Sequence, residues 1–422
     1  MNSAQQLSNP EANHSELVAL LPRADIHVFC ETQETGQVVQ RASADRRMSR
    51  AHVTIQLGGI PAAVQVYQTQ PTPNVLVVET HLGREELFRE LGRLAEVCQP
   101  STKVVIIGHV NDVVLYRELI RQGISEYMVA PVTPHIFMEA LAALFNDPKA
   151  APLGRVISFV GAKGGVGSST IAHNVGWALS QRQNIDTIIT DLDLAFGTAA
   201  LNFNQDGGGG IVDALGQPDR VDSTLIDRMM TKVGDKLSLL NGPGGVDRDY
   251  SIESHAVETI LNVVRQSSPA IVVDVPNMWA PWIKYTLINS DEIFITATPE
   301  LPALRNAKNL IDMLKAARPN DKPPKLVLNQ VGVPKRPEIS PADFAKAVGL
   351  TPVAVIPYDP QSFGLAQSNG QMVFEVAQKS KAAEILAELA RSLGAAPAPV
   401  AASKAAKGSL LSKLPFMGKK SS

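Results

Sequence analysis

Short apolar runs recur along the chain, separated by stretches whose apolar positions fall at helical spacing. In the first third, Ile26–Cys30, Thr54–Gln56, Asn74–Glu79, Lys103–Ile107 and Glu126–Val129 read as strands. Ile60–Tyr67 has the period of a helix or an irregular segment. Arg84–Val97 places Leu87, Leu91, Leu94 and Val97 on one helical face. Val113–Gln122 is a helix closed by Gly123, and Pro134–Phe145 is another. Gln37–Ala51 reads as a loop, its Arg41, Arg46, Arg47 and Arg50 as a solvated connection. Strands alternating with helices at this spacing predict a small doubly wound parallel sheet.

The pattern then restarts. Val156–Val160, Thr187–Asp191, Leu237–Asn241, Ala270–Val273, Glu292–Thr296, Lys325–Asn329 and Val353–Ile356 are strand candidates. Between and after them, Ile211–Leu215, Ser223–Met230, His255–Arg265, Ala303–Ala317 and Lys379–Leu393 read as helices, and Asn204–Gly210 as a flexible loop. The expected organisation is an unstructured 1–22, a first α/β domain over 23–149, a linker at 150–154, a larger α/β domain over 155–393, and a low-complexity basic tail over 394–422.

Composition narrows the function classes. A net charge of −2 in 422 residues gives no global basic field that would demand nucleic acid. Two cysteines, Cys30 and Cys98, argue against a disulfide framework. The first residues lack the order of a signal peptide, and no apolar run reaches the roughly 18 residues needed to span a bilayer. A cytoplasmic chain is expected.

The chemistry concentrates in Ser158–Leu179, where an apolar strand enters a glycine-rich loop that opens an alanine-rich helix. Such loops cradle phosphate: glycines let the backbone wrap closely, amides point inward, and the helix start adds partial positive charge. Against the P-loop pattern G-x-x-x-x-G-K-[ST], this chain reads Ala162, Lys163, Gly164, Gly165, Val166, Gly167, Ser168, Ser169, followed by Thr170. Ala162 replaces the first glycine and Ser168 the phosphate-binding lysine. Asp191 and Asp193 end a strand, and Asp274 follows four apolar residues, the arrangement of an acid that holds Mg²⁺. Trp279 and Trp282 lie just beyond, equally readable as packing or as an exposed aromatic patch.

K-G-G-V-G-x-[ST]-T resembles the deviant P-loop of ParA/MinD ATPases. The ending Ser168-Ser169-Thr170-Ile171-Ala172-His173-Asn174 looks most like the CpaE/TadZ pilus-assembly family. The larger domain is thus expected to be a ParA/MinD-like P-loop NTPase. The resemblance implies ATP and Mg²⁺, with Ala162–Thr170 on the nucleotide, Asn329, Pro357 and Asp359 around the base, and Ser169 and Asp274 on the metal. It implies that Asp193 arranges the attacking water and that Lys163 reaches across a homodimer to the partner's nucleotide. The missing lysine at Ser168 predicts slow or absent hydrolysis. The first domain resembles a response-regulator receiver of flavodoxin-like fold. Glu79 stands where the phosphoacceptor belongs, and Gly108 and Ala130 stand where the hydroxyl and lysine belong, so a degenerate docking domain is expected.

The family further implies a factor that marks a cell pole, peripheral to the inner membrane, for Flp-type (tight-adherence) pili. Its implied partners are the pilus secretion ATPase and polar scaffold proteins. The tail, with Lys404, Lys407, Lys413, Lys419 and Lys420, offers weak membrane contact at most, because Pro415 interrupts its apolar side. Arg305, Lys308 and Lys315 read as a solvated helix face rather than a DNA surface. The rival readings are a DNA-partitioning ParA-like ATPase and a nucleotide-independent scaffold.

Overall fold

The computed structural model describes residues 21–145, 153–206, 210–246 and 250–394. The C-terminal basic tail therefore lies outside the described residues, as do most of the linker and part of the Asn204–Gly210 loop.

Five parallel strands make the first sheet: β1 (Ala24–Cys30), β2 (Ala51–Leu57), β3 (Val75–Thr80), β4 (Lys103–Gly108) and β5 (Glu126–Val129). Their order is β2-β1-β3-β4-β5, the flavodoxin-like doubly wound arrangement. Helices cover both faces, so the central strands are apolar throughout rather than alternating. Val28 and Val77 pack on one side with Phe137 and Leu141. Phe29, Leu76 and Val78 pack on the other with Leu87 and Leu119. Of the expected unstructured segment 1–22, residues 1–20 lie outside the described residues, whereas Leu21 is buried and its amide donates to the Arg47 carbonyl.

The arginine-rich segment departs from expectation. Gln33–Ser43 is a helix, capped by the Thr32 hydroxyl accepting from the Thr35 amide. Its buried face is only Val39 and Ala42, too narrow to stand out in a Gln- and Arg-rich sequence. Arg46 and Arg47 are not solvated: their side chains are 8% and 6% exposed. Both reach Asp321, more than 270 residues away, which also receives Arg318 Nε at 2.8 Å. Arg46 donates to the Asn289 carbonyl, Arg47 pairs with Asp45 at 2.8 Å, and the Asn320 amide donates to Asp45 at 3.0 Å. Arg50 pairs with Glu258 at the rim. The two sheet layers are thus joined by a buried charge cluster.

The second sheet holds β6 (Arg155–Gly161), β7 (Thr187–Asp191), β8 (Thr231–Gly234), β9 (Leu237–Asn241), β10 (Ala270–Val275), β11 (Glu292–Ala297), β12 (Lys325–Val331) and β13 (Ala354–Pro357). The order is β13-β12-β11-β6-β10-β7-β9-β8, and every pairing is parallel except β8 with β9. The loop-bearing β6 is central, with β10 and β11 as neighbours, so the loop, Asp274 and the acids of β7 emerge on one edge. Helix Ser168–Gln183 is buried on nearly every side, between this sheet and helix Lys381–Gly394. Edge strand β8 and helices Pro281–Asn289, Pro341–Val348 and Pro360–Asn369 were not foreseen. Each of these helices begins with proline, a start signal present in the sequence. Trp282 packs inside at 5% exposure, as the packing reading expects, and Trp279 stands out at 58%. No helix among the described residues is long and apolar enough to cross a membrane.

Glu79, the residue at the expected phosphoacceptor position, is tied into its own sheet. Its buried carboxylate accepts from the Glu31 and Thr32 amides at 2.8 and 2.9 Å, from both the Thr32 and Thr35 hydroxyls, and lies 3.3 Å from His109 Nε2. Burial pushes this carboxyl up, but the hydrogen bonds from Thr35, Thr32 and Glu31 outweigh it and hold the group below its ordinary range. Its lone pairs are committed. Glu79→Ala would orphan those donors and is expected to lower stability by about 1–3 kcal/mol in urea unfolding. A change below a few tenths would contradict the role given to these bonds.

Candidate nucleotide site

The loop 161–168 is shaped by glycine and held by neutral amides. Gly165 and Gly167 have φ of +77° and +84°, a region costly for other residues. A Cβ on Gly167 would come within 2.5 Å of Asn329 Nδ2. A Cβ on Gly164 or Gly165 would meet nothing within 4 Å, so the outer wall of the loop is open. Four side-chain amides donate to its carbonyls. They are Asn277 to Gly161 at 2.8 Å, Asn306 to Ala162 at 2.9 Å, Gln330 to Gly165 at 3.0 Å and Asn329 to Val166 at 2.8 Å. The Ala162 amide donates to the Thr296 carbonyl at 2.8 Å; with the carbonyls turned toward the four donors, the amides from Lys163 to Gly167 are left for a ligand.

The helix beginning at Ser168 has Gly167 before it and no side-chain cap. Its first-turn amides are therefore available, together with the positive end of the helix dipole. Ser168 is buried, and its hydroxyl has no hydrogen-bond partner within the protein. These features fit a chain of phosphates. The base-binding candidates are less direct. Asn329 is buried and spends one amide hydrogen on the loop. Pro357 closes β13, and Asp359 caps helix Pro360–Asn369 by accepting from the Ser362 amide at 3.0 Å.

Acids converge beside the loop. Asp274, on β10, has the Ser169 hydroxyl beside it, which favours its charged form. Burial pushes its carboxyl well above the ordinary range, and Asp191 adds repulsion. Asp191, at the end of β7, accepts from the Asp193 amide at 3.0 Å and the Ala199 amide at 3.2 Å, and burial raises it to about 6. Asp193 caps the next turn by accepting from the Phe196 amide at 3.0 Å. Ser169 and Asp274 thus stand together, as a magnesium pair would require, and their oxygens suit that hard ion.

Lys163 is occupied: its Nζ lies 3.2 Å from Glu300 Oε2, and Glu300 also holds Arg336 at 3.0 Å. Lys308 is paired along its own helix with Asp312 at 3.1 Å, in keeping with a solvated face. His173 and Asp191 also face Asp274. Their ligand atoms all lie within 4.8 Å of one another, a grouping that sequence spacing did not single out. The available signal was a histidine on the loop-bearing helix, set among Ile171, Ala172 and Val175.

No family model matches the chain. It is 48% identical to a pilus assembly protein CpaE from Caulobacter crescentus CB15 of known structure, across 98% of that chain and 31% of this one, with a TM-score of 0.30. It is 28% identical to a ParA family ATPase from Chlorobium tepidum TLS, across all of that chain and 58% of this one, with a TM-score of 0.52. It is 23% identical over 231 residues to the septum site-determining protein MinD of Thermotoga maritima, covering 52% of this chain and 80% of that protein.

Proposed function

Since the chain belongs to the CpaE-like family of ParA/MinD proteins, we propose that it binds ATP with Mg²⁺, dimerises on doing so, and positions the assembly machinery of Flp-type pili at a cell pole. The observation that carries this reading is the loop 161–168, its carbonyls fastened outward by four amides and its glycine face open, leading into an uncapped helix. Ser169 and Asp274 would hold the magnesium, which supplies charge neutralisation between the terminal phosphates. Asp193 would orient water, and Asn329, Pro357 and Asp359 would border the base. The proposed partners are a second copy of the chain, the pilus secretion ATPase and polar scaffold proteins, at a site peripheral to the inner membrane.

Hydrolysis is proposed to be slow or absent. Ser168 is a short neutral side chain where a lysine would stabilise the charge that develops on the leaving phosphate, and such electrostatic contacts make the largest single contribution to most catalysis. Titration calorimetry with ATP and Mg²⁺ is expected to give one site per chain, and steady-state phosphate release at saturating ATP to fall well below that of ordinary MinD proteins. No measurable heat or saturable binding would leave a nucleotide-independent scaffold. Binding with MinD-like turnover would overturn the assignment to Ser168 alone.

A further inference from the structure

Two buried carboxylates stand side by side with no cation to balance them. Asp191 and Asp274 are 1% and 4% exposed, and among the described residues neither forms an ion pair with a lysine or arginine. The position that would supply an ammonium nearby is Ser168. Unpaired buried charge is costly, and such sites are neutralised by protons, partners or metals.

His173 adds the decisive detail. It is fully buried on helix Ser168–Gln183, and its Nε2 has no hydrogen-bond partner while lying 3.5 Å from Asp274 Oδ2. Its other nitrogen, Nδ1, is 2.9 Å from the side-chain amide of Asn202, which also contacts the Thr198 hydroxyl at 3.2 Å. Turning that amide by half a turn puts its oxygen on Nδ1–H and leaves Nε2 as a free acceptor. A metal-binding histidine is held in this way, with its far nitrogen donating to an outer partner.

We propose that His173, Asp191 and Asp274 form a divalent-cation site that fills without nucleotide and takes imidazole-accepting ions such as Mn²⁺, Co²⁺ or Zn²⁺ in preference to Mg²⁺. One imidazole and two carboxylates suit those ions, whereas magnesium favours an all-oxygen shell. The metal supplies positive charge beside Ser168, which carries none. Asp274 belongs to this site and to the proposed nucleotide site; His173 and Asp191 are what the nucleotide reading leaves unused.

The test uses the full chain and metal alone, so its outcome is separate from that of nucleotide binding. Titration with Mn²⁺, followed by electron paramagnetic resonance, is expected to give one tight site, and pulsed measurements a coupling to a single imidazole nitrogen. His173→Gln should remove the coupling and weaken Mn²⁺ at least tenfold while leaving the Mg²⁺ affinity unchanged. A coupling that persists in the variant would overturn the proposal, as would equal Mn²⁺ binding by both proteins. Should the variant not fold, competition on the wild type decides: a hundredfold excess of Mg²⁺ is expected to leave Mn²⁺ bound, and displacement would refute the preference.

Discussion

Asp321→Ala is expected to cost about 3–5 kcal/mol, the range found when one member of a buried ion cluster is removed. One carboxylate here serves Arg46, Arg47 and Arg318, whose side chains are 8%, 6% and 5% exposed. Without it three guanidiniums stay buried; Arg47 keeps Asp45, and Arg46 keeps Asp291, which Arg265 already holds at 3.0 Å. An exposed pair would cost about 1 kcal/mol or less. The readout can be divided, because Trp177, Trp279 and Trp282 all follow the linker. Tryptophan fluorescence therefore follows the second sheet, while circular dichroism follows both. Both midpoints in urea should fall, and a shift below about 1 kcal/mol would mean that water reaches the cluster.

Acid should act at the same place. Burial raises the Asp45 and Asp321 carboxyls, but bonds from Arg47 to Asp45, and the charges of Arg46, Arg318 and Arg47 at Asp321, hold both below their usual values. Their contribution is then complete above about pH 4 and is lost as pH falls through the lowered values. The joint between the two sheets is expected to be intact at neutral pH and to open first on strong acidification. Small-angle scattering would detect an increase in the radius of gyration before the circular dichroism collapses.

Lys163→Ala is expected to abolish the ATP-driven dimer while leaving a monomer that still binds nucleotide through its loop amides. Truncating a desolvated charge at an interface costs about 2–5 kcal/mol, and a two-fold dimer contains the contact twice. Releasing the lysine from its resting place opposes this little. The Lys163–Glu300 pair is about one-third exposed, a setting worth about 1 kcal/mol at most. Sedimentation velocity with ATP and Mg²⁺ should show a dimer for the wild type and a monomer for the variant. A variant that dimerises normally would remove Lys163 from the interface.

How legible each feature was follows from the range of the interactions that make it. Strands β3, β4 and β5 could be read almost to their ends, because a strand covered on both faces is apolar residue after residue. The loop 161–168 was legible because its φ values require glycine at fixed positions. Arg46 and Arg47 misled because their partner lies in another sheet, and arginines that meet buried acids look the same in sequence as arginines that meet water. The helix Gln33–Ser43 was missed for a related reason: two small buried contacts suffice to seat it. His173 entered only as part of the family pattern, with no role of its own, because its neighbours Asp191 and Asp274 come from two strands and meet it only once the sheet order is known.

The four donors that pin the loop, Asn277, Asn306, Asn329 and Gln330, share a property with a practical use. None of them ionises and none carries a net charge, so changes of buffer or added salt leave these four tethers alone. Any salt dependence measured for capture of a polyanion therefore reports the polyanion's own field and the charged groups around the loop, Lys163 and Glu300 among them, rather than a loosening of these tethers.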